Sequence, residues 1–324
     1  MDDRGGADER SRRLVRVGGP LPPGFVQPGV AKATRPDDNG APIPGGGART
    51  TMATEPLLYE RLTWPRVRKA ADEDRVAVIP VATLEDHGPH LPIDADLRIT
   101  KEICRRVAGD LSDQTVLLPA IPHGYSPHHM DFPGPITIGW DTFTRYCTDV
   151  GTSLARHGFR RLLYVNGHGS NQNLVEMAAR LVGLEHPDVL SAACFYLGSP
   201  EGLAVVEEVR ESDRGGMGHA CELETSIYLA IDPDAVDMSK AVDEIPQDQT
   251  QHAWMDWTDG SLKLMPWWST FSETGVHGRP TLATAEKGKT LLDAAVAEIA
   301  GYVRELKSRP LPHRREPRET PGAR

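Results

Sequence analysis

Four short apolar runs alternate with helical periods through the middle of this chain, and that alternation narrows the folds open to it. Val76 to Ala82 is a continuous apolar strand, Thr115 to Ile121 a second, Arg161 to Asn166 a third and Val189 to Tyr196 a fourth. Between them, Leu97 to Val107, Asp141 to His157 and Asn171 to Leu184 carry apolar residues at helical spacing, the second closed by Gly158. Strands that are apolar throughout are buried on both faces, and strand-helix-strand units join parallel neighbours. The pattern therefore predicts an α/β fold with a mostly parallel sheet covered on both sides. A last helix over about Thr284 to Lys307 sets Leu292, Ala295, Val296, Ile299, Val303 and Leu306 on one stripe that should pack on the sheet.

The ends break this rhythm. Residues 1–53 are rich in Gly, Pro, Arg and Asp, with hardly any aromatic residue and no apolar period, so they are expected to be a disordered arm. Arg12-Arg13 lacks the apolar stretch that an export signal needs after it. Met52 is a second candidate start site, and residues 309–324, rich in Pro and Arg, are expected to be a loose tail. One domain over residues 54–308 is left.

Acids outnumber bases by 46 to 36, which argues against a nucleic-acid partner. No apolar run approaches the roughly 18 residues that cross a bilayer. Four cysteines without CxxC spacing point to a reduced, cytoplasmic protein without disulfides.

Ligands of open α/β sheets gather beyond the carboxyl ends of the strands, and the chemically rich segments of this chain follow strands. Glu85 to Asp96 follows the first, His123 to His129 the second and Asn166 to Asn171 the third, so all three should share one rim. The first segment holds Glu85, Asp86, His87, His90, Asp94 and Asp96, a concentration that is costly to desolvate without a cation or a hydrogen-bond network. Gly88, Pro89 and Pro92 keep it a bent loop from which side chains can converge.

Any one of these residues, taken alone, reads more readily as a cap or a satisfied core group. Together they read as a metal site: Glu85, His87 and Asp96 offer two carboxylates and an imidazole, with His168 and Glu222 adding one ligand from each later segment. Such a nitrogen and oxygen set suits Zn²⁺, Mn²⁺ or Fe²⁺ better than Ca²⁺, and two divalent transition metals sharing Asp96 are plausible. The fourth segment, Gly216 to Ser226, leaves two geometries open. A helix beginning near His219 puts His219 and Glu222 on one face; a later start lets His219 and Glu224 both point inward. GxSxG, GxGxxG and P-loop patterns are absent, which disfavours serine acyl transfer and phosphate cradling. Asp232 to Phe271, with Trp254, Trp257, Trp267 and Trp268, reads equally as a pocket lid or as a subunit interface.

In order, Glu85-Asp86-His87-Gly88-Pro89-His90-Leu91-Pro92 with Asp96, Phe132-Pro133-Gly134-Pro135-Ile136, Asn166-Gly167-His168-Gly169-Ser170-Asn171, His219-Ala220-Cys221-Glu222-Leu223-Glu224-Thr225-Ser226 and Gly278 to Gly288 resemble the creatininase (creatinine amidohydrolase) family. The resemblance implies a three-layer α/β/α sandwich, a binuclear metal centre and hydrolysis of a C–N bond in a small cyclic or linear amide by a metal-bridging hydroxide. By motif position, Glu85, Asp96 and His168 would hold one metal, and His87 with the shared Asp96 the other. Where some members carry a second-metal Glu this chain has Ser170, and the missing carboxylate is assigned to Glu222. His219 and Glu224 fall at positions for substrate contact and proton transfer, while Ser126, His129, Ser170 and Trp267 are expected at the substrate.

The resemblance also implies a homo-oligomer, a hexamer in the family. Asp94, Cys221, Pro135 and Arg279 depart from the family pattern without removing a metal ligand, which keeps the substrate open. Alternatives are a peptidase that trims a ribosomally made precursor peptide, or a non-catalytic metal-containing binding module.

Overall fold

Val76–Val81, apolar at every position and buried at every position, forms β1 near the centre of a four-stranded sheet. In the computed structural model, which describes residues 55–246, 249–258 and 260–315, β1 is flanked by β2 (Thr115–Leu117) and β3 (Arg161–Asn166), with β4 (Leu190–Phe195) beyond β3. All three pairings are parallel. The register sets Val81 opposite Asn166 and Asn166 opposite Phe195, so the carboxyl ends of β1, β3 and β4 finish level. That shared edge is the rim expected from the sequence.

Helices cover both faces. On one side, α1 (Trp64–Asp72), α3 (Trp140–Arg156) and α4 (Gln172–Glu185) enclose a core of Ile79, Phe143, Leu162, Tyr164 and Val175. On the other, α2 (Ala95–Asp110), α5 (Pro200–Val209), α6 (Glu222–Ile231) and α7 (Ala285–Ser308) enclose a second, with Val78, Ile103, Leu163, Leu223 and Leu291. The architecture is thus an α/β/α sandwich on a parallel sheet. A two-stranded antiparallel ribbon, β5 (Met217–His219) with β6 (His277–Gly278), leads into α6.

The expected stripe of α7 is buried throughout, and the Thr284 hydroxyl caps the helix by accepting the Lys287 N–H at 3.2 Å. The second strand is shorter than its apolar run. The Leu118 N–H still donates to the Val78 carbonyl, but the next N–H to reach β1 is that of Ile121, at the Pro80 carbonyl, one residue later than a regular parallel ladder requires; pairing therefore stops at Leu117, and Ile121 rejoins β1 through an isolated bridge to Val81. The four cysteines are all free, and among the described residues no helix is long and apolar enough to cross a membrane. Residues 309–315 carry no regular element. The expected arm of residues 1–53 and the tail from residue 316 lie outside the described residues.

Candidate metal centre

Each chemically rich segment is aimed by a local feature. Gly88 turns the loop after β1 at φ +66°, where a Cβ would meet Val276 at 2.5 Å, and this turn separates Glu85, Asp86 and His87 from α2. Asp96 sits in the first turn of α2, where the helix dipole favours a carboxylate. After β3, Gly167 lets His168 pass close to α2, because a Cβ there would lie 1.8 Å from Thr100 Oγ1. Ala220, at φ +49°, bends the chain between β5 and α6; the helix proper begins at Glu222. Of the two geometries left open by the sequence, the later helix start is the observed one, and His219 and Glu224 both face the cluster.

Asp96 lies at the middle. Its Oδ1 is 3.3 Å from His87 Nε2 and its Oδ2 is 3.1 Å from His168 Nδ1. Glu85 Oε1 is also 3.1 Å from His168 Nδ1, so Glu85, Asp96 and His168 converge on one point. On the other side, His87 Nε2 is 3.9 Å from Glu224 Oε1, and His219 joins them. Glu85, His129 and His219 make a third convergent set, and in each trio the ligand atoms lie within 4.8 Å of one another. All these residues are buried.

Burial alone would lower the pKa of His87 and of His168, but neighbouring acids outweigh it and push both up to about 10: Asp96, Glu224 and Glu85 for His87, Glu85 and Asp96 for His168. Burial raises Glu224 to about 7, helped by the charges of Asp96 and Glu85 and opposed by His87. Asp96 is pushed up by burial too, yet the imidazoles of His168 and His87, which face its two oxygens, bring it below its ordinary value.

The residues fit a cation. His87 Nε2 and Asp96 Oδ2 are buried without a hydrogen-bond partner, an arrangement that a positive ion would compensate. Imidazole and carboxylate donors without thiolate belong to Zn²⁺, Mn²⁺ or Fe²⁺ chemistry.

A supporting shell surrounds the cluster. Ser126, fully buried, donates its hydroxyl to Glu85 Oε2 at 2.5 Å, so it orients that carboxylate and does not line the cavity. His129 Nδ1 is 2.6 Å from Asp86 Oδ1, and its ring stacks on Trp268 with centroids 4.5 Å apart. His219 Nε2 donates to the Asp86 backbone carbonyl at 2.7 Å; a carbonyl only accepts, so the proton is on Nε2 and Nδ1 presents a lone pair. Asp94, unexplained by the sequence, accepts the Tyr228 hydroxyl at 2.8 Å and ties α2 to α6.

Two expected site residues are not brought to the site. Glu222 is fully buried, but its carboxylate accepts the N–H groups of Glu211 and Ser212, at 3.0 Å each, and pairs with Lys287 Nζ at 2.6 Å. Once the helix starts at Glu222, the side chain two residues later turns to the cluster, so Glu224 stands where Glu222 was expected. Trp267 is half exposed and outside the cavity lining, whereas its neighbour Trp268 is buried against His129 and His219. Ser170 does line the cavity, as does His128, which sequence reasoning missed and which lies 3.3 Å from the Ser170 hydroxyl.

The cavity beside the cluster measures about 420 Å³, and Met255 to Thr258, Leu264 to Pro266, Trp268 and Phe271 form part of its wall. Of Trp254, Trp257, Trp267 and Trp268, Trp257 and Trp268 wall the cavity, and Trp254 stacks with Arg214 at 4.4 Å.

Residues 60–303 match the creatininase family, described as creatinine amidohydrolase. A mycofactocin precursor peptide peptidase of Mycobacterium tuberculosis is 30% identical over 243 residues, covering 70% of this chain and 83% of that protein. The creatinine amidohydrolase of Pseudomonas putida is 28% identical over 264 residues, covering 77% and 96%. The crystal structure of a creatinine amidohydrolase superposes with a TM-score of 0.66 at 26% identity, over 78% of this chain and 98% of that one.

Proposed function

Because the chain belongs to the creatininase family, we propose that it is a metal-dependent amidohydrolase in which Glu85, Asp96 and His168, one of the convergent trios, hold one divalent cation, and His87 holds the other with Asp96 and Glu224, the two carboxylates 3.3 and 3.9 Å from its Nε2. The observation that carries this reading is the placement of Asp96, whose two carboxylate oxygens face two different imidazoles. When bound, divalent transition-metal ions supply Lewis acidity and acidify water.

The remaining work falls to the protein. Ser126 fixes Glu85, and Asp86 fixes both His129, through its carboxylate, and His219, through its carbonyl. His219 Nδ1, 3.7 Å from Glu85 Oε1, faces the reacting groups with a lone pair, so it takes a proton from the attacking water and returns it to the leaving nitrogen. The water oxygen bonds to the carbonyl carbon, the C–N bond breaks, and acid and amine leave. Trp268 and His129 stack on each other and form one part of the cavity wall.

The peptidase alternative shares this machinery, and the 420 Å³ cavity and the mycobacterial relative speak for it. A cytoplasmic homo-oligomer, a hexamer on the family resemblance, accords with four free cysteines and with exposed Trp64, Trp140 and Leu184. Light scattering would read the assembly.

The test is to strip the protein with a chelator, restore Zn²⁺, Mn²⁺ or Fe²⁺ separately, and assay lactams, formamides and short peptides. Hydrolysis that disappears on stripping and returns with metal is expected. Hydrolysis indifferent to the chelator, or no amide cleaved by metal-replete protein, would refute the proposal.

A further inference from the structure

The cavity is divided by its chemistry. The inner end carries the Glu85, Asp96, His168 and Glu224 side chains with His219. Phe195, Leu203, Met255, Trp257 and Leu264 form an apolar part of the wall, and because Leu264 is 55% exposed while the cluster residues are buried, this part is the outer end. Trp257 packs edge-on against Phe195, with centroids 5.5 Å apart, and its Nε1 donates to the Leu197 carbonyl at 3.1 Å. The indole N–H is therefore occupied elsewhere, and what it offers the cavity is apolar ring.

Two polar residues of the lining, Asp256 and Gln172, are likewise engaged elsewhere. The Asp256 carboxylate accepts Arg210 Nη1 and Nη2 at 2.7 and 2.8 Å, and the N–H groups of Gly215 and Trp257 at 2.8 and 2.7 Å. Its charge is matched by the Arg210 guanidinium, so it does not call for a cationic ligand. The Gln172 amide donates to Glu176 at 2.7 Å. Among the described residues that line the cavity none is Lys or Arg, so a carboxylate or phosphate at the outer end would find no counter-charge.

We infer that the outer end receives a neutral, apolar substituent of the size of an aromatic or branched aliphatic side chain, making the substrate an amide with a large apolar group and not a compact polar ring. The volume agrees: about 420 Å³ falls in the range of pockets that enclose a whole small molecule, with room beyond the reacting amide. The inference rests on the amidohydrolase reading for the reaction. The pocket's preference can be read separately.

Two series of amides test it on the metal-loaded protein. In one, formamides carry methyl, isobutyl, benzyl or carboxymethyl on nitrogen; in the other, N-methyl amides carry the same groups on the acyl carbon. Hydrolysis is followed together with binding by calorimetry. In at least one series benzyl should exceed methyl by about tenfold or more in both kcat/KM and affinity, with carboxymethyl weakest. Trp257→Ala should narrow the benzyl-to-methyl ratio toward one, and so should Leu264→Asp, whose side chain is 55% exposed and can be changed without opening the core.

Hydrolysis without a preference in either series, or a preference for carboxymethyl, overturns the inference and leaves the amidohydrolase reading standing. Selective benzyl binding with no hydrolysis anywhere supports the inference and counts against that reading. Equal binding of all four groups overturns it whether or not turnover is seen.

Discussion

Lys287→Met tests whether Glu222 is a structural anchor or a ligand. Glu222 has no exposed surface, and its carboxylate is held by two backbone N–H groups and by the Lys287 ammonium at 2.6 Å. Taking away the ammonium leaves a buried carboxylate with only its N–H partners. Removing one member of a buried pair costs about 3–5 kcal/mol, and the surviving N–H bonds place this case near the lower end, at about 3 kcal/mol. For a body of this size that is a fall of about 6–12 °C in Tm.

The pH dependence has a definite sign. Burial pushes the Glu222 pKa up, but the Lys287 ammonium and the hydrogen bonds from Ser212 and Glu211 outweigh burial and hold it below the ordinary value. The folded pKa lies below the unfolded one, so the stabilisation is complete above the unfolded pKa and is lost as pH falls through the folded pKa. The gap between wild type and Lys287→Met should be full at neutral pH and should close in acid. Guanidinium denaturation of both proteins across that range, with metal content measured on the same samples, reads both quantities. A variant within about 0.5 kcal/mol of wild type at pH 7, or one that loses a metal while keeping its stability, would refute the anchoring role.

Further outcomes follow from the same contacts. Ser126→Ala removes the hydroxyl from Glu85 and should weaken metal affinity by about 10–100-fold, read by competition with a chelator; unchanged affinity would show that Glu85 needs no such support. Gly167→Ala drives a Cβ to 1.8 Å from Thr100 Oγ1 and 3.1 Å from the Asp96 carbonyl oxygen, so a loss of about 1–3 kcal/mol is expected in denaturant titration, and a neutral result would mean that α2 yields freely. Arg210→Met strips the charge partner from Asp256 and should raise KM more than it lowers kcat, because the pair braces the cavity wall and touches no cluster residue. An equal fall in kcat would place Arg210 closer to the chemistry.

The sheet was readable because its strands are apolar without interruption, and β3 begins and ends where its run does. The end of β2 was misplaced because one extra residue lies between the Leu118 and Ile121 donors to β1, a slip that an apolar run does not reveal. The cluster was readable in its first and third segments, since Glu85, His87, Asp96 and His168 each follow a strand of the same sheet. In the fourth segment the choice between Glu222 and Glu224 turned on where α6 starts. That is set by the left-handed Ala220 and by a lysine 65 residues away from Glu222, and neither signal is local in the sequence. Trp267 and Trp268 are adjacent in a stretch without a period, so no pattern said which ring turns inward.

Metal content of purified wild type, Asp96→Ala and Glu222→Ala, prepared under the same metal-replete conditions, measures the bridging role of Asp96 most directly. About two transition-metal ions per chain are expected in wild type, fewer than one in Asp96→Ala, and about two in whatever Glu222→Ala folds, since only Asp96 faces both imidazoles. Full occupancy in Asp96→Ala, or a metal lost with Glu222 and not with Asp96, would contradict it.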